Sequence, residues 1–592
     1  MGGRAHFITE SRAFNKLRRI HGPMRTGFWA AGALAVWTAA QACAGAPNQV
    51  SDNPWFVDVT AESGLAFVHH NGRNGEFYYP EVIAPGAALF DSDGDGDLDV
   101  YLIQSADLSP RNGPGPSLQS RFFRNDLRVM SDGTHRLRFT DATAESGLGG
   151  SGYGMGVAAG DIDNDGCVDL LTTSLDGNRL LRNDCHGVFT DVSARSGIQD
   201  AGWSVSAAFV DFDRDGWLDL FVGHYLTWER SLNTPCYGTS GRRVYCAPQV
   251  YRAQQSHLYR NNHDGSFSDV TQAAGLATQF GPALGVSTAD FNRDGWIDIY
   301  VANDREENQL WLNRHDGTFE NLGLLSGTAL GPFGEAKSGM GVDAGDIDDD
   351  GDEDLVVTNL AGEGHDIYVN DGTASFVNTS ATSGIGHRSL PFTGFGVGWL
   401  DVDNDGWLDL LTVNGAVQIP DARADGGATA SLGQSQQLFH NLGNGRFEDV
   451  TRAGGPGLLR SDASRGAAFG DIDNDGDTDV VVANNGGPAQ LLLNAIGQRQ
   501  HWVGLRLRTA AGGDALGARV AVTAASGRTR WRRARADGSY ASANDPRVLV
   551  GLGNGAGAVK VRVIWPDGRS EEWADVEVDR YTTLTEGRGR TP

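Results

Sequence analysis

The nonapeptide Asp471-Ile-Asp-Asn-Asp-Gly-Asp-Thr-Asp479 constrains this chain most, because it recurs seven times with small changes. Copies begin at Asp91, Asp161, Asp211, Asp290, Asp346, Asp401 and Asp471, each with oxygen-bearing side chains at positions 1, 3, 5 and 9 and glycine at position 6. Of these 28 places, 27 are Asp, and the exception, Asn292, is still an oxygen donor. Odd positions of a tight loop converge on one point, and the glycine supplies the φ > 0 turn that wraps it. Converging carboxylates repel by about 1 kcal/mol or more per close pair unless a cation lies between them. A hard divalent ion with an all-oxygen shell is the natural occupant, so calcium is expected, up to seven ions in a structural role. The ligands expected in the first four copies are Asp91, Asp93, Asp95, Asp99; Asp161, Asp163, Asp165, Asp169; Asp211, Asp213, Asp215, Asp219; and Asp290, Asn292, Asp294, Asp298. Those of the last three are Asp346, Asp348, Asp350, Asp354; Asp401, Asp403, Asp405, Asp409; and Asp471, Asp473, Asp475, Asp479.

Two further landmarks recur in register with the loop. Before it stands F-x-D-V-T or a close variant, at Phe56, Phe139, Phe189, Phe267, Phe319, Phe376 and Phe447. After it a short apolar strand ends in Asn125, Asn183, Asn261, Asn313, Asn370, Asn441 or Asn494. Each unit therefore offers about four short strands, with the ion clamping the hairpin between the first two. Successive loops lie 70, 50, 79, 56, 55 and 70 residues apart. Periods of roughly 40–50 residues with four strands indicate a β-propeller, and the longer gaps require insertions. Insertions are visible at Ala106–Ser120, Thr227–Tyr251 and Val417–Gln434. A solenoid is the main alternative. The phase favours a closed ring of seven blades over residues 50–497: Phe56 precedes the first loop, and no such motif follows the last. Residues 55–60 would then supply the seventh blade's outer strand.

These repeats resemble the FG-GAP/VCBS repeats of integrin alpha subunits and many secreted bacterial proteins. The resemblance implies calcium in each loop, held by the side chains at positions 1, 3, 5 and 9 and the carbonyl at position 7. Copy four departs through Asn292, which lowers the ligand charge. Residues 500–590 lack the loop and turn basic, and their strands read as a small β-sandwich or barrel: Trp502–Leu507, Ala518–Thr523, Arg547–Leu552, Val559–Ile564 and Trp573–Val578. Gly517-Ala-Arg-Val520, Gly538-Ser-Tyr540, Gly551-Leu-Gly553 and Trp565-Pro-Asp-Gly568 look like the ASPIC/UnbV domain. With the insertion Cys236…Tyr245-Cys246-Ala-Pro248, the chain is similar to the cartilage acidic protein 1 family along nearly all its mature length. That resemblance is specific for architecture and far less so for activity.

A net charge of −27, concentrated in the repeats, argues against nucleic-acid partners and for cations. Residues 1–46 read as an export signal: Arg18, Arg19 and Arg25 precede an apolar run from Phe28 to Ala40, then sites for cleavage after Ala42 or Ala46. Met24 is an alternative start. Cys43 permits lipid anchoring at a cell surface, although Ala40 and Gln41 suit that recognition poorly. Soluble secretion, or a periplasmic location, is the favoured reading, with no transmembrane segment after the signal and a monomeric chain. In that setting Cys236 and Cys246 suit a disulfide, while Cys167 and Cys185 form either a second bridge or two free thiols.

Three functions are weighed. The first is a non-enzymatic recognition or adhesion scaffold whose three insertions present an extracellular glycan or protein site. The second is a calcium-dependent enzyme acting on a polysaccharide or phosphoester. It lacks G-x-S-x-G and H-E-x-x-H, and no catalytic residue is assigned. His224, His257 and His365 near strand ends read as core or surface histidines, and Trp217 and Trp407 as packing residues more readily than sugar platforms. The third is an accessory role in secretion or secondary-metabolite handling, suggested only by the name of the C-terminal domain family. The run Arg528-Thr-Arg-Trp-Arg-Arg-Ala-Arg535 either docks on the acidic repeats, binds an anion, or is a solvated edge strand.

Overall fold

The structure is a computed structural model describing residues 53–109, 118–131, 134–198, 201–418 and 432–592. The expected export signal and Cys43 lie outside the described residues, as do parts of the insertions at 106–120 and 417–434. The fold is all-β. Among the described residues, seven four-stranded antiparallel sheets succeed one another along the chain, numbered here as blades 1–7 by their aspartate loops.

Blade 2 shows the common plan. Its inner strand Gly154–Gly160 enters the loop and Asp169–Ser174 leaves it. The third strand, Arg179–Asn183, ends on the recurrent asparagine, and the fourth, Phe189–Asp191, begins on the recurrent phenylalanine. The first two strands of a blade are covered on both faces by its neighbours, so they read as continuous small and apolar runs rather than alternating ones.

Blade 7 closes the ring. Its inner three strands come from residues 464–494, and its outer strand is Phe56–Asp58, paired as Phe56 with Asn494 and Asp58 with Leu492. Seven apolar clusters join consecutive blades. The last unites Leu89, Val100 and Phe123 of blade 1 with Ala468, Val481 and Leu491 of blade 7.

The recurrent asparagine explains itself in this ring. Asn183 Nδ2 donates to the carbonyl of Val168 in its own blade and to that of Ser92 in blade 1. The step between blades repeats all the way round: Asn125 to Ile472, Asn261 to Ile162, Asn313 to Phe212, Asn370 to Phe291, Asn441 to Ile347 and Asn494 to Val402. A side-chain amide has two N–H donors, and six of these buried asparagines use one to hold their own loop and one to hold the preceding blade, while Asn494 makes the step between blades.

After the ring, a three-stranded sheet (Val548–Gly553, His501–Arg508, Tyr581–Thr585) and a four-stranded sheet (Thr529–Arg533, Arg519–Thr523, Val559–Ile564, Ser570–Val576) share the core of Val503, Leu505, Val520, Val550 and Val561. Two strands differ from the sequence reading. The expected strand at Trp573–Val578 runs from Ser570 to Val576, and Tyr581–Thr585, parallel to His501–Arg508, was not anticipated.

Between Arg533 and Val548 the chain leaves this module and fills the centre of the ring. Its main chain pairs with Ala87, Leu89, Val157, Val342 and Phe469, and Ala541 N–H donates to Ser206 Oγ. Asp537 accepts from Thr288 N–H, and Ser539 Oγ accepts from Val397 N–H and donates to Ala467. The inner strands of all seven blades are thereby held. Tyr540 is wholly buried, its ring edge-on to Phe395 and its hydroxyl donating to the Ile83 carbonyl at 3.0 Å. Gly86 lies so near this segment that a Cβ would sit 1.7 Å from the Ala541 oxygen. Residues Val50–Pro592 consequently form one compact unit.

Candidate metal centres

In every loop the residue at position 4 and the glycine at position 6 take positive φ, 55–78° and 85–94° respectively. Position 4 is Gly94, Asn164, Arg214, Arg293, Asp349, Asn404 or Asn474, so the left-handed turn rests on one more residue than the sequence signalled. The wrapped loop brings its carboxylates together. One oxygen from each of Asp161, Asp163 and Asp169 lies within 4.8 Å of the others, and so do those of Asp211, Asp213 and Asp219, and of Asp91, Asp93 and Asp95.

The four ligand positions divide into two tasks. Position 9 is a bolt. Asp169 Oδ2 accepts from Ile162 N–H and Oδ1 from Asn183 N–H, and the equivalent pair recurs in all seven copies. Position 1 folds the loop over itself, as when Asp471 accepts from Gly476 N–H at 2.8 Å. Positions 3 and 5 stay nearer the surface. Asn292, the one amide among the 28, accepts from Asp294 N–H and donates back to its carboxylate.

The donors fit a hard cation. Asp163, Asp213, Asp290, Asp401, Asp473 and Asp475 each bury a carboxylate oxygen without a hydrogen-bond partner. Burial and like charge raise other carboxylates of the loops: Asp161 to about 6, Asp211, Asp346 and Asp471 to about 7, and Asp219 to about 9. A group raised above its unfolded value of 3.8 stabilises the fold below that value and loses the contribution as pH rises through the folded one. In chelator, therefore, the protein is expected to melt higher at pH 5 than at pH 8. Calcium requires ionised ligands and should flatten or reverse that slope, which differential scanning fluorimetry reads directly. The same slope with and without calcium would mean that no ion sits between the carboxylates.

The loops are also linked to one another. The position-4 side chains Asn164, Arg214, Asn404 and Asn474 donate to the position-6 carbonyl of the next blade, respectively Gly216, Gly295, Gly476 and Gly96. Three carbonyls remain, because Gly94 has no side chain, Asp349 has no donor and Arg293 reaches the Asp350 carbonyl instead. Arginines of the C-terminal module take these places: Arg508 on Gly166, Arg519 on Gly351, and Arg530 with Arg532 on Gly406. Arg528 pairs with Asp349 and covers the Trp407 ring, and Arg506 meets Asp91 at 2.7 Å. Of the three readings of the basic run, docking on the acidic repeats is the one observed.

One positional equivalence between blades escaped the sequence reading. The residue after the loop glycine lies against the residue two beyond the recurrent asparagine. In blade 2 these are Cys167 and Cys185, joined as a disulfide, which decides between the two readings of that pair. In blades 3 and 4 they are Trp217 stacked on His263 and Trp296 stacked on His315, each histidine also meeting the position-5 aspartate of its loop. The constant offset from glycine and asparagine was the available signal. Trp217 and Trp407 are thus packing residues. His224 and His365 are buried, and His257 pairs with Asp269 at 2.8 Å. Cys236 and Cys246 form a disulfide in the insertion at 227–251.

Comparison with known proteins agrees with this architecture. The family described as FG-GAP-like repeat matches residues 163–222, 244–301, 290–357, 346–412 and 428–482, and the family described as ASPIC and UnbV matches 508–591. The chain thus carries FG-GAP-like repeats followed by an ASPIC/UnbV domain. Within that class it is similar to cartilage acidic protein 1 of Homo sapiens, at 24% identity over 536 residues, 87% of this chain and 74% of the relative. It is 25% identical to the Mus musculus protein of that name, covering 52% of this chain and 56% of the relative's length. Solved structures superimpose loosely. The Dos1 propeller gives a TM-score of 0.35 at 9% identity, covering 74% of this chain and 95% of that one. An Agrocybe aegerita protein, whose structure concerns recognition of non-reducing terminal N-acetylglucosamine, gives 0.37 at 16%, covering 68% and 87%.

Proposed function

We propose that this chain is a non-enzymatic extracellular scaffold: a calcium-stiffened seven-bladed ring that presents a recognition surface for a glycan or a protein. The observation that carries the reading is the sevenfold loop built into the hairpin that positions each blade, five copies of which bury unpartnered oxygens on their ligand aspartates. The two disulfides suit maturation in an oxidising compartment, and among the described residues no helix is long and apolar enough to cross a membrane. The centre of the ring, where many propellers bind small molecules, is filled by residues 534–547, which directs recognition to the insertions.

Of the three insertions, that at 227–251 is described throughout. Its Cys236–Cys246 bridge holds a short hairpin, and Arg243 donates to the Glu76 carbonyl at 2.8 Å while Tyr245 donates to Glu81 at 2.8 Å. Tyr237 remains 64% exposed at its tip. Replacing the turn at residues 237–242 by a short glycine-serine linker, which spares the disulfide, Arg243 and Tyr245, is expected to leave melting within a few degrees and to abolish binding found by screening immobilised glycans and extracellular-matrix proteins. Binding that survives the replacement would move the site elsewhere on the ring.

A further inference from the structure

The seven loops share their aspartates but differ in what stands just before the recurrent asparagine, where the side chain can turn back to the loop. Blades 4, 5 and 7 carry Leu312, Val369 and Leu493, which bring no charge or donor, and blade 1 carries Arg124, which pairs with Asp126 outside the loop. Blades 2 and 3 carry Arg182, paired with Asp163 and Asp165, and Arg260, 3.9 Å from Asp213. Blade 6 carries His440, and only this side chain can itself ligate a metal.

His440 Nδ1 stands 2.9 Å from Asp409 Oδ1, and a nitrogen of the ring lies within 4.8 Å of ligand oxygens of both Asp409 and Asp403. Adjacent ligands on an octahedral ion with bonds of about 2.1 Å are separated by about 3.0 Å, so this spacing suits two donors on one metal. A second observation points the same way. Asp401 is 5% exposed and its Oδ2 accepts from Gly406 N–H across the loop at 2.8 Å, but its Oδ1 has no hydrogen-bond partner. No arginine reaches Asp401, Asp403, Asp405 or Asp409 through an ion pair among the described residues, since Arg530 and Arg532 take main-chain carbonyls instead. Calcium prefers an all-oxygen shell, whereas imidazole favours first-row ions such as Zn²⁺ and Co²⁺.

We infer that the sixth loop is a mixed imidazole–carboxylate centre formed by His440 with Asp401, Asp403 and Asp409, and that it takes a first-row divalent cation in preference to calcium. The inference rests on the reading of the loops as metal sites and adds that the sixth sets an imidazole against its buried position-9 aspartate, whereas His263 and His315 meet the exposed position-5 aspartates of blades 3 and 4. Blade 6 would then be the ring's responder to a different ion.

The test uses the full mature chain. After dialysis against excess calcium, bound metals are counted by mass spectrometry with and without micromolar Zn²⁺, for the parent and for His440→Leu. Leucine is the residue blades 4 and 7 carry at this place, so the variant should fold, and its melting temperature in calcium checks that. The expected result is one Zn²⁺ per chain in excess calcium, absent from His440→Leu, while calcium at the other loops is unchanged. Co²⁺ should bind at the same stoichiometry with a visible absorption band lost in the variant. Zn²⁺ binding that is absent, or unchanged in the variant, overturns the inference even when calcium fills the loops. A chain that binds neither calcium nor Zn²⁺ overturns the reading beneath it as well.

Discussion

A chain lacking residues 54–60 is expected to lose its cooperative melt. That segment is remote in sequence from the blade it completes. Trp55 and Phe56 donate to the Ala453 and Gly454 carbonyls, and Val59 to Leu491. Phe56 is fully buried in the cluster between blades 6 and 7, and Asp58 is held by Arg460 at 2.8 Å and Gln490 at 3.1 Å. Removing a buried phenylalanine costs about 3–5 kcal/mol on its own. The deletion also bares the edge of Gln490–Asn494, and the whole net stability of a domain is only about 5–15 kcal/mol. A drop on the order of 10 °C is the least to be expected, and aggregation through the exposed edge is expected with it. The milder Phe56→Ala, which leaves the main chain in place, should give a smaller shift. A deletion that melts like the parent would mean the seventh blade does not need its outer strand.

Chelation is expected to be as damaging. Extracellular calcium modules bind with dissociation constants of about 10⁻⁴–10⁻³ M, and a site at tenfold excess contributes about 1.4 kcal/mol. Six or seven such sites supply on the order of 10 kcal/mol, comparable with the net stability. The loss would not stay local. Each position-9 aspartate holds the asparagine that bonds to the preceding blade, and each position-6 carbonyl is held by the preceding blade or by the C-terminal module. Loosening one loop therefore weakens the contact to its neighbour. The effect of removing several ions should be cooperative rather than a sum.

Much of this was legible in the sequence for a simple reason. Odd-numbered carboxylates and a fixed glycine declare a loop from one short stretch, and sevenfold recurrence declares a ring. The displaced Phe56 showed where the ring closes, because a motif missing at one end and spare at the other has only one economical use. What stayed hidden depends on distance in space. Nothing local to Gly538-Ser-Tyr540 says that it fills the channel of a ring built hundreds of residues earlier. Nor does the run Arg528–Arg535 say which carbonyl it meets, since the gap it fills at Gly406 is left by Asp349 in another blade. The kinship of Cys167–Cys185 with Trp217–His263 was obscured because the two pairs share a place and not a chemistry.

The most direct test of a ring built on calcium is calorimetric titration of the mature, metal-stripped chain, paired with its melting temperature in calcium and in chelator. About six equivalents of calcium, with a melting temperature lower by on the order of 10 °C or more in chelator, is the result this account predicts. One or two equivalents with unchanged melting would contradict it, leaving most of the seven loops as hydrogen-bonded turns that need no ion.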